Sequence, residues 1–175
     1  MAIEGGLIGI GIGVLKLVLG LVLAIASIYI GLSMFGRLTK GINEEEELKK
    51  GNVAVSLLLV AIILSLANVI QSGVSGMTDS ITQSTLAEPS KLIGPLVGGI
   101  IQVLIGLLFA VVSIYIALNI LDKITKGIDE MAELKKGNVA VAVVMAGVIY
   151  AVSFVVQAGV SGIGRPIAET ITAIL

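Results

Sequence analysis

The chain contains no cysteine and no histidine. Disulfides, thiolate chemistry and the commonest metal ligand are therefore excluded together, along with the side chain that titrates near neutral pH. Charge is scarce too, at 13% of residues with a net charge of −1, so there is no basic field to attract nucleic acid. No serine has a histidine to activate it, no glycine-rich phosphate loop follows a strand, and no two carboxylates share one face of an apolar helix. These absences argue against an enzyme, and no cofactor or metal is expected.

What is present is apolar surface. Of the 175 residues 57% are hydrophobic, and the mean hydropathy is +1.12, more than a soluble domain of this size can bury. Lipid is the simplest solvent for such a chain. A cleaved leader is not expected, because Glu4 and a glycine run stand where a basic n-region would be.

Apolar runs cover residues 5 to 35, 53 to 77, 92 to 121 and 139 to 163. Each exceeds the roughly 20 residues that carry a helix across a bilayer. Backbone groups inside lipid must pair internally, and these unbroken runs lack the alternation of barrel strands, so they predict helices. The first and third runs are overlong. Tilt absorbs part of the excess, and lipid is expected to cover about 10 to 35 of the first.

One stretch occurs twice, letter for letter: Lys49-Lys50-Gly51-Asn52-Val53-Ala54-Val55 and Lys135-Lys136-Gly137-Asn138-Val139-Ala140-Val141. The offset between copies, 86 residues, also aligns Ser27-Ile28-Tyr29-Ile30 with Ser113-Ile114-Tyr115-Ile116 and Gly73-Val74-Ser75-Gly76 with Gly159-Val160-Ser161-Gly162. The chain is thus a tandem duplication, residues 1–86 and 87–175. Each unit holds two spans, so both enter the membrane the same way up. The fold class that follows is all-α: an integral membrane protein of four transmembrane helices, arranged as two parallel two-helix repeats, which weakens an alternating-access reading.

Eight of the eleven basic residues lie in the two charged loops: Arg37, Lys40, Lys49 and Lys50, then Lys123, Lys126, Lys135 and Lys136. Lys91 and Arg165 lie on the opposite side, and Lys16 lies within a span. By the positive-inside rule both loops face the cytoplasm of a cell membrane, and the termini face out.

Each charged loop predicts a short helix, Glu44 to Lys50 and Glu130 to Lys136, with acidic residues early and lysines late. Gly51 and Gly137 then take the left-handed C′ position, and Asn52 and Asn138 cap the next membrane helix. A second reading is that the glycine amides and lysine pairs bind a phosphate or lipid headgroup. Glu44 to Glu47 suggests a divalent-cation patch, but Glu45 with Lys49 and Glu46 with Lys50 stand at ion-pairing spacing, which favours a solvated face.

A charged loop ending in Lys-Gly-Asn-Val-Ala-Val before an apolar helix, inside a duplicated two-helix unit, resembles the small prokaryotic membrane proteins grouped as domain-of-unknown-function family 350. The resemblance covers about 10 to 78 and 96 to 164. It implies a four-span membrane architecture without implying an activity, and it carries no catalytic residues.

Polar residues within the spans are costly and often functional. Lys16 falls near the outer surface, where it can snorkel to water, pair with Asp79 or Glu169, or line a pore. Its repeat mate is Gln102. Asn68, Gln71 and Gln157 can hydrogen-bond between helices, and Lys16, Gln71, Gln102 and Gln157 share a depth that suggests an outer polar vestibule. Small residues four apart (Gly9 and Gly13, Gly20 and Ala24, Gly106 and Ala110, Gly147 and Ala151), with Ser27 and Ser113, mark a packing seam. Tyr29 and Tyr115 read as interfacial anchors.

Two functions remain: a non-enzymatic structural or assembly subunit that associates laterally as a homo-oligomer, or a channel or transporter subunit for a small ion or solute. Membrane lipids are the expected partners, nucleic acid is not, and docking of cytoplasmic proteins on the charged loops is left open.

Overall fold

A computed structural model describes residues 2–39, 41–87 and 93–174, without the side chains of some helical residues, Lys16 and Ser27 of α1 among them. Six helices follow in order: α1 (Ala2–Leu38), α2 (Glu44–Lys49), α3 (Val53–Ala87), α4 (Ile93–Ile124), α5 (Glu130–Lys135) and α6 (Val139–Ile174). Among the described residues all regular structure is helical. Four helices contain segments apolar and long enough to cross a bilayer: Gly9–Leu38, Val53–Gly76, Val97–Ile124 and Val139–Ile163. The fold is a four-span membrane fold made of two helix hairpins, α1/α3 and α4/α6, each turned through a short charged helix.

The turns are fixed by caps at both ends. Asn43 and Asp129 accept from the backbone N–H groups of Glu46 and Ala132 at 3.2 and 3.0 Å, which starts α2 and α5. Gly51 and Gly137 stop them at φ +74° and +81°. The amides of Asn52 and Asn138 reach back to the carbonyls of Glu47 and Glu133 at 3.0 and 2.9 Å, which closes a Schellman turn in each copy. A side chain at either glycine would be strained by that φ.

The core lies at the loop end of the bundle. Phe35, Leu38 and Ile42 meet Val55, Leu58 and Ile62 of α3, while Ile114, Leu118, Leu134, Met145 and Ile149 extend the same cluster into the second repeat. Towards the terminal end the two hairpins differ. α4 lies in the groove between α3 and α6, whereas α1 packs on α3 and only marginally on α4. The most apolar window of α1 is unburied, against 56% buried for that of α3.

The expected seam is therefore made in one repeat only. A Cβ at Gly106 would sit 3.1 Å from both Val160 methyl groups and 3.2 Å from Val69 Cγ1, and Ala110 is buried. Ser113 is half-buried beside them. Gly9, Gly13, Gly20 and Gly147 have no such neighbour within 4 Å, and Ala24 and Ala151 are exposed. The Ser27 side chain lies outside the described residues. Sequence symmetry suggests equal seams, but close approach needs a second helix opposite the small residues. α1 has only α3, which it meets nearer the loop end, where Gly31 abuts Ile63.

Candidate functional site

Two polar constellations are built by this frame, one at each end. At the loop end, the Glu47 carboxylate accepts from Lys50 Nζ at 2.9 Å and from Asn52 Nδ2 at 2.8 Å. The second repeat has the same clasp: Glu133 accepts from Lys136 Nζ at 2.7 Å and Asn138 Nδ2 at 2.8 Å. The capping oxygen of each asparagine is meanwhile occupied from the helix that follows. Asn52 Oδ1 accepts from Val55 N at 3.2 Å, and Asn138 Oδ1 from Ala140 N at 3.1 Å. One asparagine thus joins the end of a short helix to the start of a long one.

The asparagine first and the lysine second hold the Glu47 and Glu133 carboxyls below their ordinary pKa, and each lysine is raised in turn. The hinge role of Glu47 and Glu133 escaped the sequence reading, which placed Glu47 in a solvated acidic patch, whereas Glu47 is buried. That reading paired Lys50 with Glu46 on i,i+4 spacing, but Lys50 bonds Glu47 three residues back, because Asn52 already orients that carboxylate. The other expected pair, Glu45 with Lys49, is present at 2.7 Å between exposed side chains.

The two clasps are not independent. Asn52 Nδ2 also donates to the carbonyl of Leu134 at 2.9 Å, so the first hinge is stitched to the end of α5. Nearby, Glu130 is 3% exposed, and its Oε1 accepts from the Thr125 hydroxyl. Its Oε2 has no hydrogen-bond donor among the described residues. Burial first, and the neighbouring Asp122 carboxyl after it, push the Glu130 pKa up. The repeat mate of Glu130, Glu44, is partly exposed. Among the described residues no group of three or more acidic, histidine or cysteine side chains is arranged to hold a metal.

Towards the terminal end, α3 and α6 meet through polar groups. Asn68 Nδ2 donates to Gln157 Oε1 at 3.0 Å, and the Ser72 and Ser161 hydroxyls lie 2.6 Å apart. Beside this contact is an open groove of about 330 Å³ lined by Gln71, Ser72, Ser75, Asp79, Gln157 and Ser161. Of the four residues expected in a vestibule, Gln71 and Gln157 are brought together here. Gln102 is not part of it. It is 1% exposed, lies against Gly76, and donates from Nε2 to the Val160 carbonyl at 2.9 Å, pinning α4 to α6. A buried amide in lipid is held where a carbonyl can accept its N–H, and here the Val160 carbonyl of α6 does so. The Lys16 side chain lies outside the described residues.

The hydroxyls that extend the groove, Ser72, Ser75 and Ser161, were also missed. Part of the signal was visible: Ser75 and Ser161 each stand four residues after Gln71 and Gln157, on the same helical face.

Fold and site together define a multi-pass, α-helical membrane protein of two tandem hairpins with a duplicated Glu-Lys-Asn clasp. The chain belongs to the Domain of Unknown Function family DUF350, which matches it twice, over residues 7–94 and 95–175. No curated protein and no solved structure matches it.

Proposed function

We propose that this protein is a non-enzymatic subunit of the cell membrane that associates laterally with copies of itself, with both clasps on the cytoplasmic side and the termini outside. One observation carries the reading. α1 presents Gly9, Gly13 and Gly20 on one face with no packed neighbour within 4 Å, along a helix whose most apolar window is unburied. In lipid an exposed leucine carries no penalty, so hydrophobicity alone does not demand a partner. A glycine-rich face is different, because it offers close backbone approach and lipid tails fill it poorly. The equivalent face of α4 is gripped by two helices.

Membrane lipids are the remaining partners in this reading. Mass measurement by light scattering in mild detergent tests the association. A monomer at all concentrations would remove the reading. Orientation is tested separately by an impermeant amine reagent on intact cells, which should spare Lys50 and Lys136.

The groove between α3 and α6 favours a second reading, a path for a small ion or solute lined by Gln71, Gln157 and three serines. Flux through proteoliposomes, compared with Gln71→Leu and Gln157→Leu, separates the two. Unchanged flux would leave the assembly reading alone.

A further inference from the structure

The contact between the two repeats is not symmetric. In the 86-residue register, Asn68 and Ser72 of α3 correspond to Phe154 and Ala158 of α6, while Gln157 and Ser161 correspond to Gln71 and Ser75. A two-fold interface would pair both sets at once. Only one set is paired: Asn68 with Gln157 and Ser72 with Ser161. Phe154 is 52% exposed, and Ala158, Gln71 and Ser75 are exposed as well. The repeats therefore join head to tail, and each leaves half of a contact unused.

The docking of α4 shows the same asymmetry. α3 carries Val69, Gly73 and Gly76 on one stripe, and α4 fills it with Gly106, Val103 and Gln102 respectively. α6 carries the same stripe, residue for residue, as Val155, Gly159 and Gly162. There it is open: Val155 is 74% exposed, and neither glycine has a neighbour within 4 Å. The α1 residues equivalent to Gly106 and Val103 are Gly20 and Leu17. Gly20 meets nothing, and Leu17 is 69% exposed.

We infer that the open α6 stripe of one copy receives α1 of a second copy, with Gly20 against Val155 and Leu17 against Gly159, repeating between chains the contact that α4 makes within one. The α3 face of the incoming copy, Gln71 and Ser75, then lies on Phe154 and Ala158. α1 is clamped between its own α3 and the neighbour's α6, as α4 is clamped between α6 and α3. Phe154 and Ala158 replace Asn68 and Ser72, so this contact rests on packing where the internal one has hydrogen bonds. A head-to-tail contact leaves a new open stripe at every addition, so assembly stops only when a ring closes. The inference rests on the self-association proposed above and specifies its geometry.

The absence of cysteine makes the test direct. Two differently tagged chains, one carrying Gly20→Cys and the other Val155→Cys, are co-expressed and oxidised in membranes. The expected result is a disulfide-linked dimer carrying both tags, and none when Leu108→Cys, exposed on α4, replaces Val155→Cys. Val69→Cys with Gly106→Cys in one chain is the control for the internal contact. A second variant, Gly159→Leu, should abolish the oligomer without making the single chain easier to unfold, since the site is open within one copy. An oligomer that forms without the Gly20–Val155 link overturns the geometry and leaves self-association standing. A disulfide that forms only within a single chain carrying both Gly20→Cys and Val155→Cys, and not between chains, overturns it in favour of closure of α1 on its own α6. A monomer throughout overturns both.

Discussion

Alanine at Gly73 should separate α4 from α3. The added Cβ would lie 2.7 Å from Val103 Cγ2 and 3.3 Å from Val103 Cα, against about 3.5–4.0 Å for a relaxed carbon contact. Turning the valine rotamer relieves the first clash but not the second, because the Cα belongs to the α4 backbone. α4 must therefore give by a few tenths of an ångström, and a gap approaching half an ångström forfeits up to about a quarter of the affected dispersion contacts. Overpacking of this kind costs about 1–3 kcal/mol. Alanine returns up to about 1 kcal/mol of helix propensity, so the net loss is at most about 2 kcal/mol, and Gly73→Ala should lie about 1–3 kcal/mol below a glycine-to-alanine change in open space. Gly159→Ala is the internal control, since the same atom there meets nothing within 4 Å. That substitution should be neutral, or stabilising by up to about 1 kcal/mol. The chain has no tryptophan, so unfolding is best followed by far-ultraviolet circular dichroism during titration of mixed micelles with dodecyl sulfate, at dilutions that keep the chain monomeric. Equal shifts for the two variants would refute the close approach of α4 to α3.

The clasps and the buried carboxyl can be tested in the same assay. Asn52→Ala removes a helix cap worth about 1 kcal/mol, together with the bond to the Leu134 carbonyl, worth about 1 kcal/mol more. Asn138→Ala removes its cap without a matching cross-repeat bond, so the first variant should be the less stable by about 1 kcal/mol. Glu130 has a raised pKa in the fold, so between the unfolded and folded values the folded chain holds the extra proton. Its contribution therefore becomes more unfavourable as pH rises through that window, and acidification from neutral pH recovers stability. Glu130→Gln should flatten that dependence and stabilise the neutral-pH protein by about 1–2 kcal/mol, by removing a buried oxygen without a donor. A steeper dependence in the variant would count against this account. Glu47 and Glu133 act in the opposite sense. Their lowered pKa values add stability above the ordinary carboxylate range, and it is lost as pH falls through the folded values. Glu47→Gln should accordingly remove part of the acid-induced destabilisation seen by circular dichroism.

The sequence by itself determined the solvent, the four spans, the duplication and the hinges. Apolar runs longer than 20 residues admit one backbone solution in lipid, and Lys-Gly-Asn encodes a left-handed stop and a cap through local torsions alone. The stop and cap made by Gly51, Asn52, Gly137 and Asn138 act within five residues of themselves, so no distant partner had to be known for them, whereas the Asn52 bond to the Leu134 carbonyl lay beyond local reasoning. Tertiary structure decided everything that depends on which faces meet. Val69-Gly73-Gly76 and Val155-Gly159-Gly162 are identical as letters, yet one is filled and the other open. Gln102 shares a depth with Gln71 and Gln157 but points to the Val160 carbonyl instead of the groove. Periodicity fixes how far along a helix a residue lies and which neighbours share its face. It leaves free the rotation of one helix against another, and in a duplicated chain joined head to tail that rotation gives identical stripes different surroundings.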